Sequence, residues 1–123
     1  MAFYSSKFFK YWFPVIGYSA IIFFVSSLSD LKTPGVFLIS DKICHVGEYF
    51  IFGWLLSRAL MSTGKRGVTV FILVLFGTFL YGLSDEYHQS FVIGRTSSFL
   101  DVLADLVGGT IGGFFYPRLV KQV

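Results

Sequence analysis

Asp41, His45 and Glu48 stand at positions i, i+4 and i+7, a spacing that on a helix gathers them within about 60° of one another on one face. Asp101 and Asp105 repeat the i, i+4 step far along the chain, while Gly82, Glu86 and Gln89 share a face with Asp85 beside them. An imidazole among carboxylates is the equipment of a general base or nucleophile that an acid orients, because its ordinary pKa of about 6.5 lies near working pH. His45 is the candidate for that role and Glu48 or Asp105 for the orienting acid. Gly94-Arg95 supplies a guanidinium suited to bidentate contact with phosphate or carboxylate, with Lys42 as a second cation. His45, Glu48 and His88 are also metal-ligand types. The chain lacks H-E-x-x-H and a second close histidine, so neither a metal nor a cofactor is expected.

The elements that position these groups follow from hydropathy. In 123 residues, 54% are hydrophobic and 14% charged, and the mean hydropathy is +0.71. A soluble domain this short needs more polar surface than that. Four apolar runs, Trp12–Leu28, Ile43–Leu60, Val68–Leu83 and Phe99–Tyr116, are each about long enough to cross a ~30 Å hydrocarbon layer as a helix. They are too long and continuous for barrel strands, and backbone groups in lipid must be satisfied within the segment. Between them lie Ser29–Gly35, Ser62–Gly67 and the polar stretch Ser84–Ser98. The expected fold is an all-α bundle of four transmembrane helices in one domain over residues 1–123, with no appended domain. The first run exceeds a usual signal-peptide core and no A-x-A pattern follows it, so it is expected to be retained.

The net charge of +3 resolves into two sides. If the N-terminus is inside, Lys7, Lys10, Arg58, Lys65, Arg66, Arg118 and Lys121 are cytoplasmic and only Lys32, Lys42 and Arg95 lie outside; by the positive-inside rule the termini are N-in and C-in. All seven acids fall toward the outer end with both histidines. The rule concerns Lys and Arg and does not require that segregation. Carboxylates five or six residues into a span should face protein or water rather than lipid. Ser98-x-x-Asp101 also fits a capping box, Asp41 can cap the second helix, and Asp30 reads as a solvated loop charge. Gly108 and Gly112, with Gly109 and Gly113 alongside, let another helix approach closely, within the chain or in a homo-oligomer. Cys44, the only cysteine, reads as a small packed hydrophobe. The sixteen Phe and seven Tyr read as bulk facing lipid and the membrane interface, not as a stacking platform for bases, and no nucleic-acid partner is expected.

Asp41-Lys42-Ile43-Cys44-His45-Val46-Gly47-Glu48-Tyr49 resembles the D-K-x-x-H-x-x-E-Y segment of the VanZ-like membrane proteins. Asp85-Glu86-Tyr87-His88-Gln89, Gly94-Arg95 and Asp101-Val102-Leu103-Ala104-Asp105 with Gly108 are similar to that family's second block, with Ile93 where the family often has proline. The resemblance implies a small polytopic protein of the bacterial cytoplasmic membrane, among lipids, and an association with resistance to teicoplanin, a lipid-tailed glycopeptide. Its motif positions are Lys42, His45, Glu48, Tyr49, Asp85, Glu86, Gln89, Arg95, Asp101 and Asp105, the same outward cluster that spacing indicates. The candidate catalytic residues are therefore His45, Glu48, Asp85, Glu86 and Asp105; the candidate ligand-binding residues are Lys42, Tyr49, Gln89, Arg95 and Asp101. The expected ligand is a lipid-linked phosphate or an amphipathic cell-envelope glycoconjugate, either turned over or merely bound. Ion or proton transfer ranks last, since the basic half offers no acid relay.

Overall fold

The computed structural model of the chain describes residues 2–28, 37–95 and 97–120, with backbone only at 2–4 and 37–40. Four helices follow one another: α1 (Ala2–Ser26), α2 (Phe37–Ser62), α3 (Gly67–Gln89) and α4 (Phe99–Leu119). No strand occurs among the described residues. Each helix overruns its apolar run at one end or both, because hydrophobicity marks where a helix meets lipid while the hydrogen-bond ladder continues until turn chemistry stops it. At the end of α2 the Ser62 and Thr63 hydroxyls donate back to the Ala59 and Leu60 carbonyls at 2.6 and 2.7 Å. Gly64 then takes φ +90°, a turn conformation that disfavours a side chain.

Contacts between helix ends show α1 running parallel to α3 and α2 parallel to α4, with consecutive helices antiparallel. Ser26 meets Asp85 and His45 meets Asp105 at one end; at the other, Arg58 donates to the Lys10 carbonyl at 3.1 Å and Trp54 meets the Tyr116 ring edge-on at 5.2 Å. The described acids thus lie at one end of the bundle and most of the bases at the other. The closest packing is α4 on α2, then α4 on α3, with α1 lying mainly against α2. Glycine makes that closeness feasible: a Cβ on Gly108 would strike the Val46 carbonyl, one on Gly112 the Phe50 carbonyl, and ones on Gly109 and Gly113 the side chains of Thr78 and Val74. The glycine stripe of α4 is therefore filled within the chain, on α2 and α3 at once.

Three helices, Ser5–Ser26, Gly67–Gln89 and Phe99–Leu119, are long and apolar enough to cross a membrane. α2 is as long, but Asp41, Lys42, His45 and Glu48 occupy its first half. The bundle inverts the soluble pattern: Phe9, Phe13, Phe23, Phe24, Ile72 and Phe76 are exposed, whereas Ser26, His45, Asp85, Glu86, Gln89, Asp101 and Asp105 are buried. A surface of this kind suits lipid, while the polar groups find their partners inside.

Two expectations are corrected. Asp41 does not cap α2, since the helix starts at Phe37 and carries Asp41 a full turn inside it; after Pro34-Gly35 nothing in Phe37-Leu38-Ile39 interrupts a helix. Cys44 is exposed rather than packed, because the close-packed face of α2 is the one that carries His45 and Tyr49. The Ser29–Gly35 connection with Asp30 and Lys32, and Lys121 near the C-terminus, lie outside the described residues.

Candidate functional site

His45 is the hub of the acidic end. It is 4% exposed, and its Nδ1 lies 2.7 Å from Oδ1 of Asp105, which is fully buried. The ring N–H donates and the carboxylate accepts. Asp105, rather than Glu48, is thus the acid that orients the imidazole. The other ring nitrogen, Nε2, faces Oδ1 of Asp41 and Oδ1 of Asp101, each at 3.9 Å. Lys42 pairs with Asp101 and lies 3.5 Å from Asp41.

The first turn of α4 shows why Asp101 is free for that pairing. Ser98 is the N-cap and its hydroxyl accepts from the Leu100 N–H at 3.2 Å. In a capping box the third residue on would return a carboxylate to the Ser98 N–H. Here Glu86 of α3 provides it, with Oε2 accepting from that N–H at 2.8 Å. Asp101 turns instead toward Lys42, so S-x-x-D at this position marks a helix start and a site residue together.

A second network centres on Asp85. Its carboxylate accepts from the Ser26 hydroxyl, from the Tyr49 hydroxyl at 3.2 Å and from the Gln89 amide at 3.4 Å, and the Gln89 amide also reaches Ser26 at 3.4 Å. All four residues are buried. One carboxylate thereby ties α1, α2 and α3 together, with both oxygens satisfied. Ser26 is the residue that motif reasoning did not single out. Its signal was a Ser-Ser pair closing an apolar run, where a hydroxyl needs a partner inside the bundle.

Gly82 floors the space between the two networks: a Cβ there would stand 3.1 Å from Oδ2 of Asp105. Glu48 is half-buried and within electrostatic reach of His45, Asp85 and Arg95; its carbonyl accepts from the Tyr18 hydroxyl at 2.8 Å. Arg95 follows Gly94, whose φ of +85° turns the chain between α3 and α4. His88 stands apart from His45, stacked on Phe23 at 4.2 Å with Nε2 3.4 Å from the Ser27 hydroxyl. A cleft of about 300 Å³ bordered by Glu86, Ser90, Ser98 and Val102 opens beside the acids. A larger cavity of about 850 Å³ lies at the basic end, among Lys7, Trp12, Met61 and Arg66, and no acid lines it. The groups able to do chemistry therefore do not line that larger cavity.

Of the sequence-indicated residues, the structure brings Lys42, His45, Glu86, Asp101 and Asp105 around one imidazole. It places Tyr49, Asp85 and Gln89 on the adjoining network, and Glu48 within electrostatic reach of both and of Arg95. An uncharacterized protein of Schizosaccharomyces pombe is 32% identical over 74 residues, which cover 57% of this chain and 42% of that protein. The chain thus spans about two fifths of that relative's length. No solved structure matches it. The VanZ/LLP1 family model matches residues 1–121, and the chain belongs to that family.

Proposed function

We propose that the chain crosses the bacterial cytoplasmic membrane four times, N-in and C-in, and presents the His45 cluster outward to a lipid-linked phosphate or a similar amphipathic envelope ligand. The observation that carries this reading is the buried His45–Asp105 pair at 2.7 Å, set at a bundle end that also holds Lys42 and Arg95. A carboxylate that fixes one ring nitrogen leaves the other to accept a proton or attack, the arrangement that general-base and nucleophilic catalysis need. Arg95, with Lys42, supplies charge for the anionic group. α2 completes the fourth crossing: its polar residues face its neighbours while Ile43 and Ile51 face outward, so burial inside the bundle offsets the cost of charge in the membrane. The reading extends to a role in teicoplanin resistance, through sequestration or processing of a lipid-tailed ligand, and the likeness to the VanZ-like proteins supports it.

Purified protein in lipid bilayers, given lipid-linked wall precursors, is expected to form product that His45→Ala abolishes. Equal product from both proteins would remove His45 from the chemistry. No product from either, with saturable precursor binding that Arg95→Ala weakens, would establish the alternative of a non-catalytic binding or scaffold protein.

A further inference from the structure

His45, Glu86 and Asp105, from three different helices, each place a donor atom within 4.8 Å of the others. They are 4%, 7% and 0% exposed. One oxygen on each carboxylate, Oε1 of Glu86 and Oδ2 of Asp105, is buried without a hydrogen-bond partner, although their sister oxygens are used by Ser98 and His45. Two orphaned carboxylate oxygens buried side by side are costly unless protons or a cation meet them. The surroundings add to the deficit. Asp85 and Asp101 are buried within the same end of the bundle, and His45 is the only buried side chain there able to carry positive charge among the described residues. Lys42 serves Asp101 and Asp41, on the other side of the imidazole.

We infer that His45, Glu86 and Asp105 form a binding site for a divalent cation. Donors around an ion with bonds of about 2.1 Å stand roughly 3–3.5 Å apart, so adjustment of side-chain rotamers closes the triad onto it, with the ring proton that His45 donates to Asp105 released to solvent as the nitrogen takes the ion. One imidazole with carboxylates suits Mn²⁺, Fe²⁺ or Zn²⁺ better than the soft-ligand metals. Asp41, His45 and Asp101 make a second such grouping, but there the Lys42 ammonium already supplies the cation. The inference deepens the phosphate reading, on which its functional meaning rests: a bound dication would take up phosphate charge, and His45 would act as a ligand instead of a proton acceptor.

The test is Mn²⁺ binding to the purified full-length protein in lipid nanodiscs, without substrate, read by metal analysis and by the Mn²⁺ paramagnetic resonance signal. About one ion per chain is expected. Asp105→Asn and Glu86→Gln should each weaken binding roughly tenfold or more, and His88→Ala should leave it unchanged. Added Mn²⁺ should raise the unfolding temperature of the parent protein and of His88→Ala only. A cooperative unfolding transition of Asp105→Asn and Glu86→Gln without added Mn²⁺ would confirm folded protein even where a variant loses the metal. Absence of saturable binding by the parent protein would overturn the inference, as would binding lost in Asp41→Asn and Asp101→Asn but kept in Glu86→Gln. Neither result touches the phosphate reading, which stands or falls on precursor turnover and binding.

Discussion

At the scale of single residues, the site depends on which of several similar carboxylates sits next to which partner. The six described acids crowd one end of the bundle, and four of them have distinct tasks: Asp105 holds the imidazole, Asp101 pairs with Lys42, Glu86 caps α4 and Asp85 fastens α1 to α2 and α3. Removing one member of a fully buried pair strands the other, at a cost of about 3–5 kcal/mol. Asp105→Ala is therefore expected to lower unfolding stability by about that amount, whereas Asp101→Ala, whose partner Lys42 reaches solvent, should cost about 1 kcal/mol. Denaturation in detergent checks the difference, and equal losses would contradict this placement. Tyr49→Phe removes one of the donors to Asp85 and should cost about 1 kcal/mol. If the Tyr49 hydroxyl instead contacts ligand, the same variant will keep its stability and bind less.

At the scale of elements, α4 is the piece on which the arrangement turns. Its first turns carry Asp101 and Asp105, and its glycines bring those residues against α2 and α3. Gly112→Ala would drive a methyl group into the Phe50 carbonyl and is expected to cost about 1–3 kcal/mol through overpacking. Gly47→Ala meets nothing within 4 Å and should stabilise by up to about 1 kcal/mol through helix propensity. Thermal unfolding of the pair checks whether packing or propensity dominates at each position. Gly82→Ala is a more local probe. Its methyl would press on Oδ2 of Asp105, so it should impair function more than it lowers stability.

At the scale of the whole molecule, polarity runs along the bundle axis. The described acids, with His45, Lys42 and Arg95, occupy one end; Lys7, Lys10, Arg58, Lys65, Arg66 and Arg118 occupy the other. If the acidic end is extracytoplasmic, Ile93→Cys, at a position 90% exposed between α3 and α4, should react with an impermeant thiol reagent on intact cells. A cysteine inserted in the Gly64–Gly67 turn should not. Both variants need a Cys44→Ser background, since Cys44 is itself exposed; labelling only at the turn would reverse the orientation. The helices and the grouping of acids at one end were legible in the sequence, because apolar length and the i, i+4 step are local properties of a chain. The four-residue spacing of α4's glycines likewise announced a close approach, but not whether it lay within one molecule or between two. Partner choice was not legible. Asp105 and Glu48 fit the imidazole equally well by spacing, Asp101 fits a capping box by itself, and Ser26 has no motif at all. Only the packing of four helices decided that Asp105 meets His45, that Glu86 takes over the cap and that Ser26 reaches Asp85, since buried hydrogen bonds are set by ångström-scale distances between segments far apart in the chain.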